Sequence, residues 1–148
     1  MTVVVCAEPS DTAQLGGRLA SRLRSGDILV LCGELGSGKT LFTGGVAMGL
    51  GVEEPVASPS FVLVRRYESG FVPLIHADVY RLSSRNEFED LDLLAETGVL
   101  IVEWGDVVEE FLPVDHLRVD FEVAEDGGRV VTFRPFGSWV KRWTSEDL

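Results

Sequence analysis

Residues 33–40 carry the clearest chemical signal in the chain. Their sequence, GELGSGKT, matches the phosphate-binding pattern G-x-x-x-x-G-K-[ST] at every defined position. Glycines allow consecutive backbone N–H groups to curl around phosphate oxygens, and the start of a helix adds partial positive charge. In such a loop the lysine, here Lys39, reaches the β- and γ-phosphates, while the hydroxyl, here Thr40, ligates Mg²⁺. The segment therefore predicts a nucleoside triphosphate site that takes Mg²⁺.

The residues around this loop support the same interpretation. Residues 28–32 form a continuous apolar run, typical of a parallel strand buried on both faces, and residues 41–50 are predicted to form a helix. A phosphate loop also needs a carboxylate near the metal, and ligands in open α/β sheets bind at the carboxyl ends of strands. Two apolar segments end in an acid, one at Asp78 and one at Glu103. Spacing alone does not rank them.

Hydrophobic periodicity predicts the elements that must position these groups. Strands are predicted at residues 3–7, 61–67, 72–78, 99–102, 117–123 and 129–134. A first helix is predicted where Leu15, Leu19 and Leu23 fall on one face. Further helices are predicted at 86–96, at 105–112 and in the tail 136–148. Strands 61–67 and 72–78 flank a turn and form a plausible antiparallel hairpin. The pattern indicates a phosphate-loop NTPase-like, three-layer α/β/α fold with a mixed sheet and added hairpin strands. Residues 1–148 are expected to form one domain.

Composition limits the class of protein and its compartment. A length of 148 residues suits a single core, and 45% hydrophobic content argues against disorder. The sequence has neither an apolar run long enough for a transmembrane helix nor a basic region ahead of an apolar one, so neither membrane insertion nor export is expected. Cys6 and Cys32 lie in apolar runs and are expected to be buried hydrophobes in a reducing cytoplasm.

Net charge bears on possible partners. The chain has 24 acidic and 13 basic residues, which gives a formal charge of −11. High-affinity binding of nucleic acid needs clustered Lys and Arg to neutralise phosphates. We therefore expect that any RNA on which this protein acts is held by a partner.

Four segments follow one another in the order and at the intervals of one known family. They are the phosphate loop, residues 58–61 (SPSF), residues 76–81 (HADVYR) and residues 102–104 (VEW). In these segments the chain resembles the bacterial TsaE (YjeE) ATPases, components of the machinery that makes N6-threonylcarbamoyladenosine at position 37 of tRNAs reading A-starting codons. The resemblance extends from the first helix to the strand that begins at Arg129.

The resemblance implies roles for individual residues. Thr40 and Glu103 would hold Mg²⁺, while Asp78 would orient or activate the attacking water and act with Lys39 in catalysis. Ser58 and Ser60 would belong to a switch-like loop whose hydroxyl approaches the γ-phosphate or the metal. The implied ATP contacts are Gly33, Glu34, Leu35, Gly36, Ser37, Gly38, Lys39, Thr40, Leu41, Thr12, Trp104, Asp106 and Arg129.

Two side chains in these motifs have open alternatives. His76 could contact phosphate or satisfy a strand-end hydrogen bond. Trp104 could lie beside the nucleotide or belong to the core.

The sequence leaves three alternative functions open. The resemblance implies an accessory ATPase that works with the threonylcarbamoyl transferase subunit TsaD and its companion TsaB, with tRNA held only through that complex. A small-molecule kinase with a degenerate lid would instead transfer phosphate to a metabolite without partners. A non-hydrolysing regulatory subunit would bind nucleotide without turnover, and Glu103→Ala would then leave its function intact.

Overall fold

The structure, a computed structural model, describes residues 1–59, 63–144, 146 and 148. Its strands are β1 (Thr2–Cys6), β2 (Ile28–Cys32), β3 (Val64–Tyr67), β4 (Leu74–Asp78), β5 (Val99–Glu103), β6 (Leu117–Val123) and β7 (Arg129–Pro135). Its helices are α1 (Pro9–Ala20), α2 (Lys39–Gly49), α3 (Arg85–Asp90) and α4 (Trp139–Arg142), with 3₁₀ turns at Leu93–Ala95, Gly105–Val107 and Glu109–Phe111.

The seven strands form one mixed sheet in the order β1-β7-β6-β2-β5-β4-β3. Strand β2 is central and pairs in parallel with both β5 and β6, and β5 pairs in parallel with β4. The outer pairs are antiparallel: β3 with β4, β6 with β7, and β1 with β7. The carboxyl ends of β2, β4 and β5 therefore meet at one edge of the sheet, where ligands bind in folds of this kind.

Two apolar cores lie on opposite faces of the sheet. One packs α1, α2 and the short α4 against residues such as Leu29, Leu31 and Ile101. The other covers the alternate residues of the same strands, including Val30 and Val102, with α3 and the 3₁₀ turns. This arrangement confirms the predicted three-layer α/β/α fold with a mixed sheet.

Helices α1 and α2 approach each other closely because glycines face the contact. A Cβ added at Gly45 would lie 1.9 Å from the carbonyl oxygen of Ala13, and one at Gly16 would lie 2.3 Å from that of Phe42. Both distances are far below a van der Waals contact, so a side chain at either position would force the helices apart. This packing fixes the position of α2, whose first residues follow the glycines of the phosphate loop.

Some predicted elements differ from the observed ones. The helix predicted at 86–96 is two short segments, because Asp92 takes a left-handed conformation (φ 52°) that ends helical hydrogen bonding. The helix predicted at 105–112 is a pair of 3₁₀ turns. Of the helix predicted in the tail 136–148, the structure describes the four-residue α4, and residues 145 and 147 lie outside the described residues. Of the strand predicted at 61–67, residues 61 and 62 lie outside the described residues.

Two expectations from composition can be compared with the structure. Cys6 and Cys32 are both buried free thiols, as predicted, and burial raises the pKa of Cys32 to about 12. Among the described residues, no helix has the length and apolarity needed to cross a membrane.

Candidate nucleotide-binding site

The phosphate loop connects the fully buried β2 to the start of α2. Gly36 and Gly38 have φ values of 79° and 107°, in the left-handed region where residues with a Cβ are strained. Gly38 directly precedes Lys39, the first residue of α2. The glycines of the motif thus produce the backbone turn that aims the helix N-terminus at the site, where its partial positive charge favours a phosphate.

The Lys39 side chain is buried and folds back over its own loop. Its Nζ donates to the carbonyl oxygen of Gly33 and lies 3.5 Å from that of Glu34. The same Nζ lies 3.7 Å from the centre of the Trp104 ring, a cation–π contact. Burial lowers the pKa of Lys39, whereas the nearby acids Glu103 and Asp78 oppose that shift. The cation is therefore held over the phosphate loop, and its contact with phosphate oxygens stays a prediction.

Thr40 and Glu103 are in contact although they lie 63 positions apart in the sequence. The Thr40 hydroxyl donates to Oε1 of Glu103 over 3.3 Å. The other carboxylate oxygen, Oε2, lies 2.5 Å from Nε2 of His76, whose ring is completely buried. The structure thus joins the loop hydroxyl to one of the two predicted acids. Of the two alternatives for His76, its contact with Glu103, the last residue of β5, favours the strand-end hydrogen bond over a phosphate contact.

Asp78 lies beside this group at the end of the neighbouring strand. It is the register partner of Glu103 in the β4–β5 pair, and it is only 6% exposed. Its Oδ1 accepts a hydrogen bond from the backbone N–H of Tyr80 over 2.9 Å. The Tyr80 ring packs against the Trp104 ring with centroids 4.8 Å apart. Both predicted acids therefore lie at the same edge of the sheet.

A cavity of about 390 Å³ opens over these groups. A cavity of this size is typical for a small-molecule ligand. Its lining includes Leu35, Gly36 and Gly38 of the phosphate loop and the start of α2. It also includes Ser58, Asp78, Glu103 and Trp104, and two segments from the far edge of the sheet, residues 6–9 and 127–129. Thr12 also lines it, with its side chain buried. The sequence did not indicate that residues 6–8 and Gly127 line the cavity, because the end of β1 reaches it only through pairing with β7.

Arg129 braces the phosphate loop from β7. Its Nε donates to the carbonyl oxygen of Ser37 (3.1 Å) and its Nη2 to that of Gly36 (3.0 Å). Nη1 donates to Gly127 over 2.5 Å. In this structure the guanidinium therefore contacts the backbone of the loop, and a direct contact with nucleotide stays a prediction.

Other predicted residues lie at different distances from the cavity. Leu35 and Leu41 line its rim, and Leu35 is 88% exposed. Asp106 lies in an adjoining depression on the other side of Trp104, which also includes Gly33 and Glu34. Ser60 lies outside the described residues. Trp104 is half-buried, lines the cavity and also packs against the second core, so its contact with nucleotide stays a prediction.

The oxygen groups fit a hard cation that retains other ligands. Mg²⁺ is commonly bound by one or two protein oxygens together with substrate phosphates and water. The hydroxyl of Thr40 and the carboxylate of Glu103 supply such a pair. The described residues contain no group of three or more His, Cys, Asp or Glu that could form a protein-only metal cage. One hydroxyl and one carboxylate would fit a Mg²⁺ ion that also takes phosphate and water oxygens.

The fold and the loop define a protein of the phosphate-loop NTPase-like α/β class. A sequence profile for the family described as "Threonylcarbamoyl adenosine biosynthesis protein TsaE" matches residues 6–131. The chain belongs to the TsaE family.

Individual relatives agree with this assignment. The chain is 44% identical over 144 residues to the tRNA threonylcarbamoyladenosine biosynthesis protein TsaE of Streptomyces coelicolor, covering 91% of this chain and 95% of the relative. It is 40% identical over 131 residues to the Bacillus subtilis protein of the same name, covering 88% and 83%. The crystal structure of Bacillus subtilis YdiB superposes with a TM-score of 0.81 at 34% identity, covering 95% of this chain and 90% of that one.

Proposed function

We propose that this chain is a Mg²⁺-dependent ATPase that serves the biosynthesis of threonylcarbamoyladenosine in tRNA. Family membership supports the pathway. The observation that carries the ATPase activity is the contact between Thr40 and Glu103, with Asp78 on the adjacent strand. A complete phosphate loop and two acids at the same sheet edge support phosphoryl transfer from ATP, with water as the proposed acceptor.

Each side chain has a separate task in this proposal. The loop N–H groups and the N-terminus of α2 bind phosphate oxygens, and Lys39 neutralises charge on the β- and γ-phosphates. Thr40 and Glu103 hold Mg²⁺, which when bound offsets charge that develops on the phosphoryl oxygens. Asp78 accepts a hydrogen bond from the attacking water and so directs it toward the γ-phosphorus. The protein then accelerates ATP hydrolysis by positioning the reactants and by electrostatic stabilisation rather than by covalent chemistry.

The lining of the cavity favours stimulation by a partner. Of the described residues that line it, Arg129 is the only arginine, and three of its N–H groups donate to backbone carbonyls. An arginine that reaches the γ-phosphate accelerates phosphoryl transfer strongly in related chemistry. We therefore propose slow turnover in isolation and faster turnover with the TsaD and TsaB proteins, with tRNA held by that complex.

ATP turnover tests the proposal directly. Phosphate release is measured with the purified chain alone, with TsaD and TsaB, and with Glu103→Ala in the same mixtures. The proposal expects Mg²⁺-dependent release that rises with the partners and falls in the variant. Binding without release under all conditions would identify a regulatory subunit, and transfer to a metabolite without partners would identify a kinase.

A further inference from the structure

His76 is a completely buried polar group to which the proposed roles assign no task. It lies in the middle of β4, on the same side of the strand as Leu74 and Asp78. Its register partner on β5 is the apolar Ile101. Burying a polar ring among apolar neighbours is costly unless the ring is hydrogen-bonded, so its bonding partner explains its placement.

That partner is Glu103, the acid that also contacts the phosphate loop. Nε2 of His76 lies 2.5 Å from Oε2 of Glu103, while Oε1 accepts the Thr40 hydroxyl over 3.3 Å. A carboxylate can only accept, so the imidazole donates through Nε2–H. Nδ1 of the same ring is buried and has no hydrogen-bond partner among the described residues. The ring therefore makes its side-chain hydrogen bond to this one carboxylate oxygen.

We propose that His76 is a positioning residue that holds the Glu103 carboxylate in the orientation in which Oε1 faces Thr40 and the metal. The inference rests on the proposed Mg·ATP site. A glutamate side chain has several rotatable bonds, and fixing it costs conformational entropy. A hydrogen bond from fixed β4 to Oε2 restrains the carboxylate before the metal arrives. Outer partners of this kind typically change metal affinity 10–100-fold when they are removed.

A second buried histidine offers a matched control. His116 is 5% exposed, and its Nε2 lies 3.0 Å from Oε2 of Glu109. It directly precedes β6, at the amino end of the parallel strands and therefore opposite the cavity. His116→Leu breaks a partly buried histidine–carboxylate contact without touching the site.

The test compares the Mg²⁺ requirement of nucleotide binding in four proteins: the parent, His76→Leu, His76→Gln and His116→Leu. Calorimetry measures affinity for a non-hydrolysable ATP analogue in EDTA and then at increasing Mg²⁺. We expect His76→Leu to keep its affinity in EDTA within about twofold, yet to need about 10–100 times more Mg²⁺ for the same gain. His76→Gln should regain most of the response, because its amide N–H can donate in place of Nε2–H. His116→Leu should match the parent.

Other outcomes would overturn the inference. If His76→Leu responds to Mg²⁺ as the parent does, the histidine only fills space. If His76→Leu does not fold, His76→Gln and His76→Asn are compared, since the shorter asparagine cannot place a donor at Oε2; an equal Mg²⁺ requirement then rejects the proposal. If the parent itself shows no Mg²⁺ response, the proposed ATPase site fails, which is a separate and recognisable result.

Discussion

Asp78 and Glu103 occupy matching register positions at the carboxyl ends of two adjacent parallel strands. Both side chains are buried, yet their contacts differ: Glu103 contacts Thr40 of the phosphate loop, whereas Asp78 accepts a hydrogen bond from the backbone of Tyr80. The two acids are therefore neighbours with different surroundings, and this difference favours separate roles.

Alanine substitution should separate those roles. We expect Glu103→Ala to lose about 10–100-fold of Mg²⁺-dependent ATP affinity, because a Mg²⁺ site with few protein oxygens depends strongly on each. Asp78→Ala should bind Mg·ATP about as well as the parent but turn it over about 10²–10⁴-fold more slowly. Calorimetry and partner-stimulated turnover measure the two effects, and Glu103→Gln controls for loss of side-chain volume. The opposite pattern would exchange the two roles.

Lys39 should be essential for tight ATP binding. Its Nζ is held over the loop beside Trp104, so Lys39→Ala removes the buried cation that faces the phosphates. We expect an affinity loss of about 100-fold or more, equivalent to about 3 kcal/mol. The only other lysine in the chain, Lys141, is exposed on α4, and Lys141→Ala is the matched control. Unchanged affinity by calorimetry in Lys39→Ala would remove the phosphate-loop assignment.

Arg129 should stabilise the shape of the phosphate loop. Because its guanidinium donates to the carbonyls of Gly36 and Ser37, Arg129→Ala frees that part of the loop. We expect ATP affinity to fall about 10-fold and hydrogen exchange of the loop amides to rise in the nucleotide-free protein. The control is Arg66→Ala, which breaks a surface pair with Glu96. Normal exchange in Arg129→Ala, together with lost affinity, would instead indicate a direct nucleotide contact.

Arg142 should anchor the tail to the body of the protein. Its Nη1 and Nη2 lie 2.7 and 2.9 Å from the two carboxylate oxygens of Asp27, which is only 6% exposed, and its guanidinium lies 3.9 Å from the Trp139 ring centre. Arg142→Ala removes both guanidinium hydrogen bonds from the buried Asp27 and leaves its carboxylate the backbone N–H of Arg24 as a donor, so we expect a loss of about 2 kcal/mol in urea unfolding. Arg85→Ala, at an exposed pair, should change stability by less than about 0.5 kcal/mol. Equal effects would mean that the contact between Arg142 and Asp27 contributes no more than an exposed ion pair.

The protein alone should not retain tRNA at physiological salt. With 24 acidic and 13 basic residues, its net charge opposes binding to a phosphate backbone. Filter binding across a salt series measures this. A submicromolar dissociation constant with a steep salt dependence would reveal a basic face strong enough to outweigh the overall charge.

Local features of the site could be predicted from the sequence. The loop glycines, Lys39 and Thr40 are fixed by a contiguous motif between a buried strand and a helix. Asp78 and Glu103 could be predicted to lie at one sheet edge because each ends an apolar strand. Spacing alone could not assign different roles to these two acids, because that assignment depends on which of them contacts Thr40.

Several features that the sequence did not predict depend on pairing between residues far apart in the chain. The contact between His76 and Glu103 joins residues 27 positions apart and depends on the β4–β5 register. The break at Asp92 depends on a left-handed backbone conformation in a segment whose apolar spacing is still helical. The position of β1 beside β7 likewise has no local signal, since it pairs residues more than a hundred positions apart.

The pairing of β1 with β7 has a consequence for synthesis of the protein. Cys6 is the register partner of Arg129, and the segments next to these two residues form the far wall of the cavity. Translation completes β1 well before β7, because more than a hundred residues separate the two strands. The nascent chain can therefore form the phosphate loop early, yet the far wall of the cavity is absent until β7 has been made and has docked beside β1.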